Sequence, residues 1–212
     1  MLENRKNSVS LLGYYGSDET IGLAAWCSTE RVLTEERKQR LGKFIKQLMD
    51  DGHHTPLEKT LLHFLVTTDI ATHIHILKHR IGVSVNAESA RYKELKDDKF
   101  YIPGDWPPEE QQNLTEWMWR AYHNYHKAVE RLTPVLGRKR AKESARFYLP
   151  YANQLTADVS FNIRSFYHFQ KLRNSEHAQL EVRDIAQRML DLVRGIEGNP
   201  FKHTLEAFGY NG

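Results

Sequence analysis

Apolar residues recur along the chain with two different periods, and the changes between them set the expected architecture. Val9 to Tyr15 is a run of aliphatic and aromatic residues halted at Gly16, which predicts a strand. Asp18 to Cys27 reads as a helix with Asp18 as N-cap, and Ala24-Ala25-Trp26-Cys27 reads as its buried apolar face. Thr34 to Met49 predicts a stronger helix: Leu41, Phe44, Ile45, Leu48 and Met49 keep one stripe, Thr34 can cap it and Gly52 ends it. Leu61 to Thr67 predicts a second strand. Ile70, Ile74, Leu77 and Ile81 return to the helical period, with Gly82 where a C-cap is wanted. Pro103, Gly104, Trp106, Pro107 and Pro108 mark a surface loop. Beyond it, Glu109 to Leu132 predicts a long helix ending before Pro134, and Arg138 to Tyr148 a shorter one stopped at Pro150. Thr156 to Phe161 predicts another strand, and helices at Ile163 to Arg173 and Glu176 to Arg194 complete the core. Few strands, many helices and no regular βαβ alternation predict an α+β fold. The expectation is a small, mostly antiparallel sheet packed by several helices, one of them long, in a single domain over residues 1–212.

Composition narrows the function classes. With 212 residues the chain can bury a substantial core. A net charge of +3, with acids and bases mixed along the chain, argues against a nucleic-acid binder, which would gather its basic residues in a stripe. One cysteine, Cys27, excludes an intrachain disulfide and a cysteine-rich zinc site. No stretch approaches the roughly 18 apolar residues of a membrane span. Met1-Leu-Glu-Asn-Arg-Lys is not followed by an apolar h-region, so the expectation is no secretory signal and a cytoplasmic location.

The chemistry concentrates in Lys78-His79-Arg80-Ile81-Gly82-Val83-Ser84-Val85-Asn86-Ala87-Glu88-Ser89-Ala90-Arg91-Tyr92. A basic triplet at a helix end is favoured by the macrodipole whatever the function, by about 0.3–1 kcal/mol per charge. The dipole does not ask for the hydroxyls, amide and guanidinium that follow, and those suit a planar anionic ligand. His75 and His79 are four apart, with His73 nearby, which is metal-like spacing, but no Glu or Cys accompanies them. A zinc hydrolase on His73, His75 and His79 is therefore one alternative, and a non-catalytic nucleotide-binding protein another. Further polar segments are His53-His54-Thr55-Pro56-Leu57-Glu58, Arg146-Phe-Tyr-Leu-Pro150, and Asn162-Ile-Arg164 through His168 to Arg173. Arg164 and Arg173 are nine apart, which at about 100° per residue places them on opposite sides of one helix. They would then serve different ligands, or the sites of different subunits.

Four of these segments together resemble the flavin-dependent thymidylate synthases. The shared pattern is a basic-His-Arg triplet, then Ser89 separated from Arg80 by eight residues, and then Arg91-Tyr92. It is joined by the His-x-Thr-Pro-x-x-Glu segment from His53 to Glu58, the Arg146 segment, and Arg173-Asn-Ser-Glu-His177-Ala-Gln-Leu-Glu181. The chain departs from the family at Lys78, where the first Arg is usual, and at His75 and His168, where Gln and Asn are frequent. Ala87 takes the place of an expected acid, with Glu88 one position later.

The resemblance implies a homotetramer with shared active sites that methylates dUMP to dTMP. The carbon comes from 5,10-methylenetetrahydrofolate, and FAD reduced by NADPH supplies the hydride. By motif, Thr55, Lys78, His79, Arg80, Glu88, Asn162, Arg164 and His168 would hold FAD. Likewise His75, Lys78, Glu88, Ser89, Ala90, Arg91, Arg146 and Arg173 would hold dUMP. His53 would face the folate or nicotinamide, and Arg173 would be catalytic, polarising the uracil ring from its N3 side. A flavin route needs no cysteine nucleophile.

Overall fold

The computed structural model describes residues 3–4, 6–89 and 98–210. In chain order the elements are β1 (Glu3–Asn4), β2 (Ser8–Tyr15), α1 (Asp18–Ala25), α2 (Glu35–Asp50), β3 (Leu61–Asp69), α3 (Ile70–Leu77), β4 (Val83–Ala87) and β5 (Lys99–Phe100). They continue with α4 (Pro108–Ala145), β6 (Gln154–Phe161), α5 (Ile163–Arg173), α6 (Leu180–Arg194) and α7 (Lys202–Ala207). Four strands form a small antiparallel sheet in the order β2-β3-β6-β4, and β1 pairs in parallel with β5. The fold is thus α+β, as the two periods in the sequence predict. The chain divides into two compact units.

The first unit takes the described residues of Met1–Ser8, Val66–Lys78 and Asn86–Ala157. Its spine is α4, which buries Met118 and Tyr122 against Phe100 and Ile102. The Tyr122 hydroxyl is 2.6 Å from Asn153 Oδ1 and 2.5 Å from the Lys99 carbonyl, so one proton serves two acceptors. Burial pushes that phenol's pKa up. The sequence predicts a helix end before Pro134, yet α4 continues past it. The Thr133 hydroxyl bonds the Val129 carbonyl at 2.6 Å, and the break comes at Gly137, whose φ of 76° and ψ of 152° are not helical.

The second unit takes the described residues of Val9–Leu65, His79–Val85 and Asp158–Gly212. Phe64, Phe161, Phe166 and Phe169 are all fully buried, with ring centroids 5.2–6.3 Å apart in tilted, edge-on and stacked pairs. Such pairs add about 0.5–1.5 kcal/mol each beyond the area they bury. α6 lays Val182, Ile185, Ala186, Met189 and Val193 into this core, and Gln170 donates to the Ala186 carbonyl at 2.8 Å. Asp18 is not the N-cap of α1. Ser17 caps it, because its hydroxyl accepts from Thr20 N while Thr20 answers back to Ser17 N. Asp18 is buried and accepts from His203 N, Thr204 N and the Thr204 hydroxyl, which anchors the unanticipated α7.

Candidate functional site

In the second unit the site is assembled where residues 79–82 meet the start of α5. The spacing of Ile70, Ile74, Leu77 and Ile81 predicts a helix through Ile81, but α3 stops at Leu77, so Lys78, His79 and Arg80 leave it as a turn. His75 and His79 consequently do not share a helix face. Gly82 closes the turn at φ +64°, a left-handed conformation that favours glycine. A Cβ there would lie 2.2 Å from Asn162 Nδ2 and 2.4 Å from Ser165 Oγ. The close approach has a purpose, since the Ser165 hydroxyl donates to the Ile81 carbonyl at 2.6 Å and Asn162 N donates to the Gly82 carbonyl at 3.0 Å. Asn162 also caps α5, its Oδ1 accepting from Ser165 N at 2.8 Å. Two bonds and a glycine therefore fix the basic turn to one capped helix N-terminus.

Along α5 the polar side chains take separate tasks. Arg164 Nη1 donates to Glu58 Oε1 at 2.5 Å, and Glu58 comes from the 3₁₀ turn Thr55–Lys59 that begins at the exposed Thr55. At the other end of α5, Arg173 Nε donates to His79 Nε2 at 3.0 Å. The His79 ring is only 8% exposed and packs edge-on to Phe169, with His168 at 5.8 Å. Burial, then the charge of Arg173 and the neighbouring His168, lower the His79 pKa to about 4, so the ring is neutral at pH 7. The two arginines have different partners, as their nine-residue spacing predicts. Among the described residues Arg80 has no hydrogen-bond or ion-pair partner, and His53 and His168 are exposed.

The first unit carries the remaining sequence-predicted residues. His75 keeps a buried Nδ1 with no hydrogen-bond partner, an orphan polar atom that a ligand can satisfy. Lys78 and Arg146 are exposed cations without an ion-pair partner among the described residues. Glu88 is tied to Thr156, donating its N–H to the Thr156 carbonyl at 2.8 Å and accepting from Thr156 N at 2.9 Å. Ser89 is half-buried, and Ala90 and Arg91 lie outside the described residues. Within this unit the unpaired cations of Lys78 and Arg146 and the orphan nitrogen of His75 are groups suited to phosphates and carbonyl edges. FAD and a nucleotide monophosphate both fit that chemistry.

Two further side chains hold the site: Glu58, the acid of the His-x-Thr-Pro-x-x-Glu segment, which carries no ligand role in the motif, and Ser165, whose only local signal is its place three positions after Asn162. Cys27 also needs correction, for it is exposed rather than buried. α1 ends at Ala25, and Trp26–Ser28 winds into a 3₁₀ turn that sends Trp26 onto Phe44, stacked at 4.8 Å, and leaves the thiol in solvent. No group of three or more His, Cys, Asp or Glu side chains among the described residues is placed to hold a metal ion. No described helix is long and apolar enough to cross a membrane.

Comparison with known proteins agrees with the motifs. The model of the family described as thymidylate synthase complementing protein matches residues 10–197. The flavin-dependent thymidylate synthase of Streptomyces avermitilis is 30% identical over 88% of this chain and 82% of its own. That of Thermosipho africanus is 31% identical over 96% and 91%. Among solved structures, a UMP/dUMP methylase, PolB, from Streptomyces cacaoi bound with 5-Br dUMP superimposes with a TM-score of 0.80 at 26% identity, covering 100% of this chain and 98% of that one.

Proposed function

The chain belongs to the flavin-dependent thymidylate synthase family, and from that membership we propose that this enzyme converts dUMP, 5,10-methylenetetrahydrofolate, NADPH and a proton into dTMP, tetrahydrofolate and NADP⁺ as one functional unit over its length. The observation that carries the reading is Arg173, held through its Nε by a neutral histidine beside a glycine-closed basic turn. A guanidinium so placed keeps its two Nη groups for a planar ligand edge. Set against the N3 side of uracil, it stabilises negative charge there and so raises the electron density at C5, the carbon that accepts the methyl group.

By motif Thr55, Lys78, His79, Arg80, Glu88, Asn162, Arg164 and His168 would be the FAD ligands, and FAD would supply the redox chemistry between NADPH and the methylated nucleotide. Arg80 and Lys78 offer unpaired charges to its phosphates, while Glu58 keeps the Arg164 guanidinium oriented. By motif His75, Lys78, Glu88, Ser89, Ala90, Arg91, Arg146 and Arg173 would be the dUMP ligands, and His53 would meet the incoming folate or nicotinamide. The protein is expected to purify yellow or to bind added FAD, and NADPH is expected to bleach it. A colourless protein that ignores FAD in titration contradicts this reading.

The assembly is a homotetramer in this account, because one chain turns Arg164 and Arg173 toward different neighbours. The half-exposed Leu12, Tyr14, Leu61 and Leu65 of β2 and β3 are surface that subunit contact would cover. Light scattering at micromolar concentration is expected to give four chains, and an active monomer refutes it. The exposed Cys27 has no part in the chemistry, so Cys27→Ser is expected to keep dTMP formation within about twofold, as a surface substitution does. Loss of turnover with FAD still bound would point to a thiolate mechanism.

A further inference from the structure

The motif assigns His79 to the flavin alone, yet its Nε2 is already engaged by Arg173 at 3.0 Å. A guanidinium Nε is only ever a donor, so the imidazole Nε2 must be the acceptor and the ring proton must sit on Nδ1. A ring turned over would set Cε1–H against the Arg173 Nε–H and forfeit the bond, so the contact itself fixes the ring's orientation. Nδ1 has no hydrogen-bond partner among the described residues. We propose, resting on the reading of Arg173 given above, that His79 is the positioning residue of the reaction centre: it aims the Arg173 guanidinium by accepting its Nε–H and offers a single Nδ1–H donor to a ligand acceptor.

The ligand atom that meets His79 is therefore a hydrogen-bond acceptor, a carbonyl, a pyridine-type nitrogen or a phosphate oxygen, never an N–H. The lowered pKa of His79 keeps it competent as acceptor down to about pH 4, below which a protonated ring would repel Arg173. The titratable and charged groups around it are Arg173 and His168 on α5 and the adjacent Lys78 and Arg80 of its own turn, and none of these supplies a negative charge that would restore the proton at neutral pH.

The test combines tautomer spectroscopy with a double-mutant cycle on the FAD-loaded enzyme. The ¹⁵N spectrum of the wild type is expected to show His79 as the Nδ1–H tautomer, and Arg173→Ala to release it to a tautomer mixture; an Nε2–H tautomer in the wild type overturns the proposal without reference to catalysis. His79→Phe removes the acceptor and is expected to lower kcat for dTMP by about 10²-fold, the usual scale for a reacting group displaced by an ångström. His79→Gln, whose Oε1 reaches the place of Nε2, is expected to recover to within about tenfold of the wild type. In the Arg173→Ala background His79→Phe should cost nothing further, since both changes act through one guanidinium. An equal loss in both backgrounds, or a loss confined to flavin content, overturns the proposal. A wild type that makes no dTMP but shows the Nδ1–H tautomer removes the functional reading and leaves the contact intact.

Discussion

Arg173→Ala is expected to lower dTMP formation by about 10²–10³-fold while leaving FAD bound, the range found when one preorganised donor is removed from a developing charge. The flavin is expected to stay because Arg164, Arg80 and the cap Asn162 do not depend on Arg173 for their positions: Arg164 rests on Glu58 and Asn162 on Ser165. The fold is also expected to tolerate the change. The partner left behind, His79, is a neutral imidazole and not a stranded charge. Arg173→Lys should rescue little. An ammonium cannot donate sideways to His79 and at the same time present a planar fork to the pyrimidine. The variants are compared by rate of dTMP formation and by flavin absorbance. A rate near that of the wild type in Arg173→Ala would reduce the residue to a helix C-terminal charge.

The largest effect on stability is expected at Gly82. Its left-handed backbone alone makes alanine unfavourable by about 1–2 kcal/mol. The Cβ contacts of 2.2 Å with Asn162 and 2.4 Å with Ser165 add overpacking, for a total near 2–5 kcal/mol. For a chain of this length that lowers the thermal midpoint by about 4–20 °C. Gly52 separates the two causes, because it has φ +72° but no atom within 4 Å of its Cβ position. Gly52→Ala should therefore show only the backbone part, measured by the same melting experiment. Gly82→Ala should in addition lose FAD, since it pushes the basic turn away from α5. Equal melting temperatures for the two variants would mean that the turn is free to shift.

Where the sequence is legible, the determinants are local. α5 runs from Ile163 to Arg173, as predicted, and Thr34 caps α2 in the predicted place. Where the sequence misleads, a neighbour distant along the chain decides. α3 ends at Leu77, short of Ile81, because Ser165 and Asn162 capture the carbonyls of Ile81 and Gly82. Val83-Ser84-Val85-Asn86-Ala87 alternates with the period of a strand, and it pairs as β4 although its polar residues suggest only a ligand loop. α7 has six residues, too few to set a period, and depends on Asp18 from the other end of the chain. The motif residues were legible one by one. The contact between His79 and Arg173, 94 positions apart, was not.

Release of tritium from C5-labelled dUMP is the most direct measurement of the central claim, since substitution at C5 must expel that hydrogen. With FAD, NADPH and 5,10-methylenetetrahydrofolate present, the purified protein is expected to release tritium in step with dTMP formation, and to stop when FAD is withheld. Release that persists without flavin, or none at all from a protein with bound FAD, would contradict the account.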